Sequence, residues 1–401
     1  MKDTSDNGRT RSWDGGAEDD RFAADRQALR QAGFEPPIEF KGLFLEEAEA
    51  VLTAIGEPRY RARQILEWIY LRDAADFAAM SNLPASLRAR LAAVGRILRL
   101  GPAATSASGR DETVKFLFRL ADGEAVESVL MRYRQWSTAC LSTQVGCRMG
   151  CAFCASTIGG LVRQLSAGEI LDQVLRLRAE TGETVGRVVI MGTGEPLDNY
   201  EATVRFIRLI HQPYSLGLGY RHITVSTSGL VPGIERLAAE GLPVTLAVSL
   251  HAPRDELRRQ IMPVARRWGL ADLIGAADRY AEVTGRRVTY EYTLIGGLND
   301  GPREADELAR LLAGHLAHVN LIPLNPVPER GFSRPGQAVV QAFLGRLERA
   351  GISATIRREL GSDINAACGQ LRRDRGGGRR KAGIDGADGR EDRHRAGPQG
   401  Q

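Results

Sequence analysis

The chain has 401 residues, 43% of them hydrophobic and 26% charged, enough for one large folded domain with accessories. No stretch approaches ~18 consecutive apolar residues, which excludes a membrane-spanning helix, and five cysteines without a recognisable signal peptide point to a reducing cytoplasm, not an exported disulfide scaffold. The net charge of +5 leans towards a polyanionic partner, although a solvated basic surface gives the same balance.

Residues 1–36 are rich in Asp, Gly, Arg and Ser, lack apolar periodicity, and are expected to be disordered. Residues 37–100 read as a small helical unit. Phe44, Ala48, Val51, Leu52 and Ile55 recur at helical spacing, Gly56-Glu57-Pro58 breaks that helix, and Ile65, Leu66, Trp68, Ile69 and Tyr70 mark a second. A third helix runs from Pro84 to Val94. With Arg59, Arg61 and Arg63 ahead of the second helix, the unit is either a plain helical cap or an accessory domain that holds RNA phosphates.

Residues 101–135 contain a β-hairpin: Thr113–Leu120, a turn at Asp122-Gly123, and a return over Ala125–Met131. Alternation puts Glu127 on one face with Ala125, Val129 and Met131. A buried, unpaired carboxylate there would have a raised pKa and could do acid–base work; a Glu paired with an arginine or lying at the rim fits the pattern equally.

From 136 to 372 the pattern alternates. Strand-like runs at 139–145, 187–191, 222–226, 244–250, 288–294 and 319–323 are followed by helix-like runs at about 166–181, 200–211, 230–241, 270–284, 301–314 and 336–350. Six such units predict an α/β fold, a parallel, right-handed, partly open (β/α)6 barrel. The polar segments fall after the strands, where barrel active sites lie: Gly192-Thr193-Gly194-Glu195, Ser226-Thr227-Ser228-Gly229, Ser249-Leu250-His251 and Asn325. Residues 373–401 are basic and poor in burial-prone residues, and are expected to form a disordered tail.

After the first core strand comes Gly146-Cys147-Arg148-Met149-Gly150-Cys151-Ala152-Phe153-Cys154. Three thiolates on one loop can bind three irons of a cubane cluster and leave the fourth iron open to a substrate. Zinc would want a fourth nearby Cys or His, and none is present at close spacing. The C-x3-C-x2-C spacing, with an aromatic before the last cysteine, resembles the signature of radical S-adenosylmethionine (SAM) enzymes.

The run from Cys140 to Cys147, MGTGEPLDN from Met191, STSG from Ser226, SLHAP from Ser249, NLIPLNP from Asn320 and DINAACGQL from Asp363 together resemble one family. It is the dual-specificity RNA methyltransferases called RlmN, and the resemblance covers roughly residues 37–372. It implies a partial (β/α)6 radical SAM barrel with a small N-terminal helical domain and a connecting β-hairpin. It implies one 4Fe–4S cluster per chain on Cys147, Cys151 and Cys154, and SAM binding at Gly194, Glu195, Ser226, Ser249, Leu250, His251 and Asn325. Cys368 matches the cysteine that carries the methyl group, Cys140 its redox partner, and Glu127 the acid–base glutamate. From the pattern alone, Cys368 and Cys140 would read equally as small buried core residues.

The activity so implied is methylation of carbon 2 of an adenosine in 23S rRNA, at the peptidyl-transferase centre, and of the adenosine beside the anticodon in tRNA. Two SAM molecules are used per turnover: one methylates Cys368, the other gives a radical that activates that methyl for attack on the ring. A Cys140–Cys368 disulfide then forms and must be reduced. The implied partners are 23S rRNA, tRNA and a reductase such as a flavodoxin system; the implied state is a cytoplasmic monomer. Three other readings stay open: a carbon-8 methyltransferase conferring antibiotic resistance, a radical SAM enzyme acting on a small molecule, and a non-catalytic RNA-binding iron–sulfur regulator. Two catalytic cysteines are common to both methyltransferase readings. Arginines at 254, 258, 259, 266, 267, 357, 358, 372 and 373 are either internal pairs or phosphate contacts.

Overall fold

The computed structural model describes residues 15–371. Its first element departs from the sequence expectation, because residues 15–31 form helix α1 (Gly15–Gln31) where disorder was expected. Charge holds this helix more than an apolar stripe does. Asp25 accepts two bonds from the buried Arg90 guanidinium, at 2.7 and 2.8 Å, beside the buried Leu29. Arg90 also donates to Glu57 and to the Ile55 carbonyl, so one side chain joins three segments. The expected disorder of residues 1–14 and of the basic tail lies outside the described residues.

The helical unit follows the apolar spacing: β1 (Ile38–Glu39), α2 (Leu45–Ala54), α3 (Tyr60–Tyr70), α4 (Ala85–Val94) and β2 (Gly95–Arg96). Strands β1 and β2 pair in parallel and close the unit. Next come β3 (Gly101–Ala107), β4 (Thr113–Arg119), β5 (Ala125–Arg132) and β6 (Ser137–Cys140). The hairpin forms where expected, with Leu117 opposite Glu127. It is not a separate extension, however. Strand β3 adds to it on one side and β5 pairs antiparallel with β6 on the other, so the meander continues the core sheet.

The expected first core strand, 139–145, is divided in two. Strand β6 ends at Cys140, and β7 (Gln144–Gly146) instead pairs with β8 (Leu161–Gln164) in a ribbon of its own. The cause is a buried glutamine: Gln173 accepts from the Ser142 N–H at 2.9 Å and donates to its carbonyl at 2.9 Å, taking the place of a neighbouring strand. Gln173 lies on α5 (Ala167–Thr181), a helix begun by a capping box in which the Ser166 hydroxyl accepts from the Glu169 N–H and the Glu169 carboxylate accepts from the Ser166 N–H.

The alternation then runs β9 (Val185–Ile190), α6 (Tyr200–His211), β10 (Ile223–Thr227), α7 (Val231–Ala239), β11 (Thr245–Ser249), α8 (Asp255–Ile261), α9 (Leu270–Thr284), β12 (Val288–Leu294), α10 (Pro302–Leu312), β13 (Ala317–Pro323), α11 (Gln337–Arg349) and β14 (Ala354–Ile356). Among the described residues one ten-stranded sheet has the order β14-β13-β12-β11-β10-β9-β6-β5-β4-β3. The strands from β14 to β6 are parallel neighbours. Strand β14 and helix α8 were not expected; three residues are too few for a period, and α8 read as a basic cluster. Apolar residues such as Val188, Val225, Leu246 and Val248 are buried along these strands, so the sheet is a rigid floor for the loops at its C-terminal end.

The helical unit docks on the core through Lys41, whose Nζ lies 2.6 Å from the Asp172 carboxylate on α5, both side chains fully buried. The other Asp172 oxygen accepts from the Leu100 N–H at 2.6 Å. Gly168 lets the chains approach this closely, since a Cβ there would lie 2.1 Å from the Lys41 carbonyl oxygen.

Candidate active site

A cavity of about 940 Å³, counting its open mouth, lies at the C-terminal ends of the parallel strands. Cys147, Cys151 and Cys154 line it together. Their loop is fixed through its backbone. Gly146 turns at φ 76°, and a Cβ there would meet the Gly160 carbonyl oxygen at 2.0 Å. The Cys147 N–H donates to the Gly160 carbonyl at 3.2 Å and the Ala152 N–H to Ile261 at 2.8 Å. Arg330 caps the Cys154 carbonyl at 2.9 Å. With the backbone held elsewhere, the thiols are free to act as ligands.

These residues fit a cluster. Burial pushes the Cys147 thiol up to about 12 and raises those of Cys151 and Cys154. Three thiolates at this place therefore need a strong cationic partner. Among the described residues no three His, Cys, Asp or Glu side chains converge on a single-ion site. A cubane gives each thiolate its own iron, so its ligands stand farther apart than those of one ion.

The facing wall carries polar groups. Gly194 turns at φ 118°, with its Cα so close to the Thr143 hydroxyl that a Cβ would lie 2.7 Å from it. The buried Glu195 accepts from the N–H of Leu197 at 3.0 Å and of Ser228 at 2.7 Å, tying the loops after β9 and β10 together. Its carboxyl is pushed up by burial. Ser226, Ser249, His251 and Asn325 also line the cavity. Leu250 does not: its side chain is fully buried, and its N–H donates to the Glu291 carbonyl at 3.0 Å.

His251 sits at φ 57° and its Nδ1 accepts from the Thr293 N–H at 3.0 Å. A backbone N–H can only donate, so the proton of the neutral ring is on Nε2. Burial pulls its pKa down to about 3, so the ring is uncharged near neutrality. The ring meets Phe153 edge-on at 4.9 Å. Asn325 Oδ1 and Ser228 Oγ are buried without a partner, and both residues line the cavity. Leaving such atoms unpaired costs about 1–3 kcal/mol each, and a polar ligand would satisfy them.

A second chamber of about 590 Å³ adjoins the first, and Met191, Ile322, Asn325, Arg357 and Cys368 line both. Cys140 lines only the second. Burial and the neighbouring Cys368 push the Cys140 thiol up to about 12. The Arg357 guanidinium is raised in turn by the facing Cys368 and by Glu291, whose carboxylate lies 3.8 Å away. All five cysteines are free thiols, so the disulfide expected between Cys140 and Cys368 is not present in this structure.

A model of the radical SAM superfamily matches residues 141–312, and one of the ribosomal RNA large subunit methyltransferase N-terminal domain matches 38–97. A probable dual-specificity RNA methyltransferase RlmN of Symbiobacterium thermophilum is 58% identical over 82% of this chain and 90% of its own length. The same-named protein of Pelotomaculum thermopropionicum is 55% identical over 84% of this chain and 92% of its own. The crystal structure of a radical SAM methyltransferase from Sphaerobacter thermophilus superposes with a TM-score of 0.80 at 50% identity, covering 84% of this chain and 99% of that one. The chain belongs to the RlmN family. It is a SAM-dependent radical methyltransferase, and membership implies a 4Fe–4S cluster and SAM.

In this RlmN-family chain Glu127 is buried but not unpaired: its Oε1 lies 2.8 Å from Lys115 Nζ. Lys115 also donates to the Asn365 carbonyl at 3.2 Å, in the loop that bears Cys368. That loop is held at several points. Asp363 accepts from the Ser108 hydroxyl and the Gly109 N–H, Asn325 Nδ2 donates to the Cys368 carbonyl at 3.1 Å, and the Ala155 N–H donates to Gly369 at 2.7 Å. Sequence reasoning missed Glu291, Arg330 and Lys115. Glu291 carried the same signal as Glu127, a carboxylate amid the apolar residues of a strand. Arg330 had none. Of the arginines left open, 258 is buried and 357, partly exposed, lines both chambers, and Arg254 bonds Glu304 and Glu307 at 2.8 and 2.6 Å.

Proposed function

We propose that this enzyme methylates carbon 2 of an adenosine in 23S rRNA and of the adenosine next to the anticodon in tRNA, with the methyl group carried on Cys368. The observation that carries this reading is that Cys368 lines both chambers whereas Cys140 lines only the second. A carrier needs access to a methyl donor on one side and to an acceptor on the other. The RNA part rests on the names of the relatives and of the N-terminal domain model.

Carbon 2 of adenine is electron-poor and has no lone pair, and a cluster with SAM supplies the radical step that such a carbon requires. Cys147, Cys151 and Cys154 hold the cluster. Gly194, Glu195, Ser226, Ser249, His251 and Asn325 shape the SAM pocket, Leu250 serving only through its backbone. Cys368, as the thiolate, takes the methyl group of one SAM, and Arg357 beside it offers that thiolate a counter-charge. A second SAM is used for the radical step. Cys140 faces the same chamber and assists loss of the ring proton, while Glu127, held by Lys115, serves in acid–base exchange. The helical unit at 37–100 contributes RNA contacts. The enzyme acts as a cytoplasmic monomer fed by a flavodoxin-type reductase; no helix among the described residues is long and apolar enough to cross a membrane.

The test is mass spectrometry of nucleosides from unmodified rRNA and tRNA treated with reconstituted enzyme, SAM and reductant, beside a Cys368→Ala control. Carbon-2 methyladenosine from the wild type alone is expected. The carbon-8 isomer would move the enzyme to the resistance activity. Cleavage of SAM with no methyladenosine would remove RNA as the substrate.

A further inference from the structure

Between β5 and β6 the chain turns through Tyr133-Arg134-Gln135-Trp136, closed by the Tyr133 N–H donating to the Trp136 carbonyl at 2.9 Å. Two aromatic residues in a polar turn need an explanation, because turns are usually built from small or polar residues. Tyr133 is 39% exposed, yet it lines the chamber that holds Cys140 and Cys368. Its ring lies 6.2 Å from that of Trp136, at 34° between planes. The Arg187 guanidinium lies 4.0 Å from the centre of the Trp136 ring.

The charge around this turn is uncompensated. Arg134, Arg187 and Arg358 are exposed, and Arg358 lines the same chamber. None of the three forms a salt bridge among the described residues. The nearby carboxylates are engaged elsewhere: Glu183 holds Arg132 at 3.0 Å and Ser137 at 3.0 Å, and Glu359 holds Arg334 at 2.5 Å. Tyr133 and Arg358 therefore border the acceptor chamber, and Trp136 and Arg134 continue the exposed turn beside them, with Arg187 lying over the Trp136 ring.

We propose that the turn from Tyr133 to Trp136 is a stacking platform for the single-stranded nucleotides that flank the target adenosine, with Arg134 and Arg358 taking the adjoining phosphates. The inference rests on the RNA reading above and deepens it. An adenine that reaches Cys368 must leave its stack, and its neighbours then lose a partner. An aromatic face at the chamber mouth replaces that partner. Stacking reads no sequence, because every base has a π-face. A platform of this kind therefore suits one enzyme acting on two RNAs that share a target base and differ around it.

The test uses the full chain with its cluster reconstituted, and fluorescence anisotropy of a labelled, unmodified anticodon stem-loop. Tyr133→Ala and Trp136→Ala are each expected to weaken binding by about 5- to 100-fold, and Tyr133→Phe to restore it. Arg134→Ala with Arg358→Ala is expected to reduce the log–log salt slope by about 1 to 2, as loss of two phosphate contacts requires. Iron content and cluster absorbance verify that each variant is folded. Equal affinity of wild type and both aromatic variants, including no affinity at all, would overturn the platform. Anisotropy reads binding without turnover, so a failed methylation assay and a failed platform are separate results.

Discussion

His251 carries a testable consequence at the scale of one residue. Its ring is buried, neutral and held by the Thr293 N–H, with a pKa pulled down to about 3 from an ordinary 6.5. Between those values the unfolded chain takes up a proton that the folded chain refuses. Stability therefore rises with pH through this window, is fully present above about 6.5, and is lost as pH falls towards 3. At pH 5 the loss is about 2 kcal/mol. Denaturant titrations at pH 7 and pH 5 should show it, and His251→Gln should flatten the difference; an unchanged difference in that variant would assign the acid sensitivity to another group. Arg258 shows why single residues were only partly legible. It is fully buried and donates to the carbonyls of Ser228, Leu250 and Ser249 at 2.7, 3.1 and 3.2 Å, binding two cavity loops together. In the sequence it stood in a basic run with Arg254 and Arg259, and a pattern cannot separate an inward arginine from its outward neighbours. The cysteines were legible because their spacing is itself the chemistry.

At the scale of elements, the joint between the helical unit and the core rests on Lys41 and Asp172. Removing one member unbalances the buried charges of Lys41, Asp172 and the neighbouring Arg176, so Lys41→Met or Asp172→Leu alone should cost about 3–5 kcal/mol. The double replacement should recover part of that loss, because it removes both charges of the pair and leaves the buried Arg176 with Asp73 as its partner. Chemical denaturation of all three variants checks this; a double variant as weak as the sum of the singles would show that the pair's hydrogen bonds, to Leu100 among others, matter more than its charge. The core helices and strands were legible from their periods, and their bounds moved by only a few residues. What escaped had short-range causes with no periodic trace. Strand β14 is three residues long, the break after Cys140 depends on one distant glutamine, and helix α1 depends on Arg90, well beyond it in sequence. The meander was seen as a hairpin because turn chemistry is local, whereas its pairing with β6 is not.

On the scale of the whole molecule, the sequence order of the polar loops already placed the site, since right-handed alternation brings every strand end to one face. That Cys368 borders both chambers and Cys140 only the second was not legible, because it depends on where the loop bearing Cys368 folds back over the strand ends. The loop that bears Cys368 is bonded directly to the loop that bears the cluster ligands: the Ala155 N–H reaches the Gly369 carbonyl at 2.7 Å, and the Ser156 hydroxyl reaches Leu371 at 2.6 Å. Stripping the iron is accordingly expected to raise the alkylation rate of Cys368 several-fold more than that of Cys140, followed cysteine by cysteine in the mass spectrometer. Equal acceleration of both would mean general loosening. Under the proposed carrier role of Cys368, these bonds make its thiol an internal gauge of assembly: a freshly made chain is expected to offer a firm hand for the methyl group only once its iron is in place, so that maturation and competence arrive together.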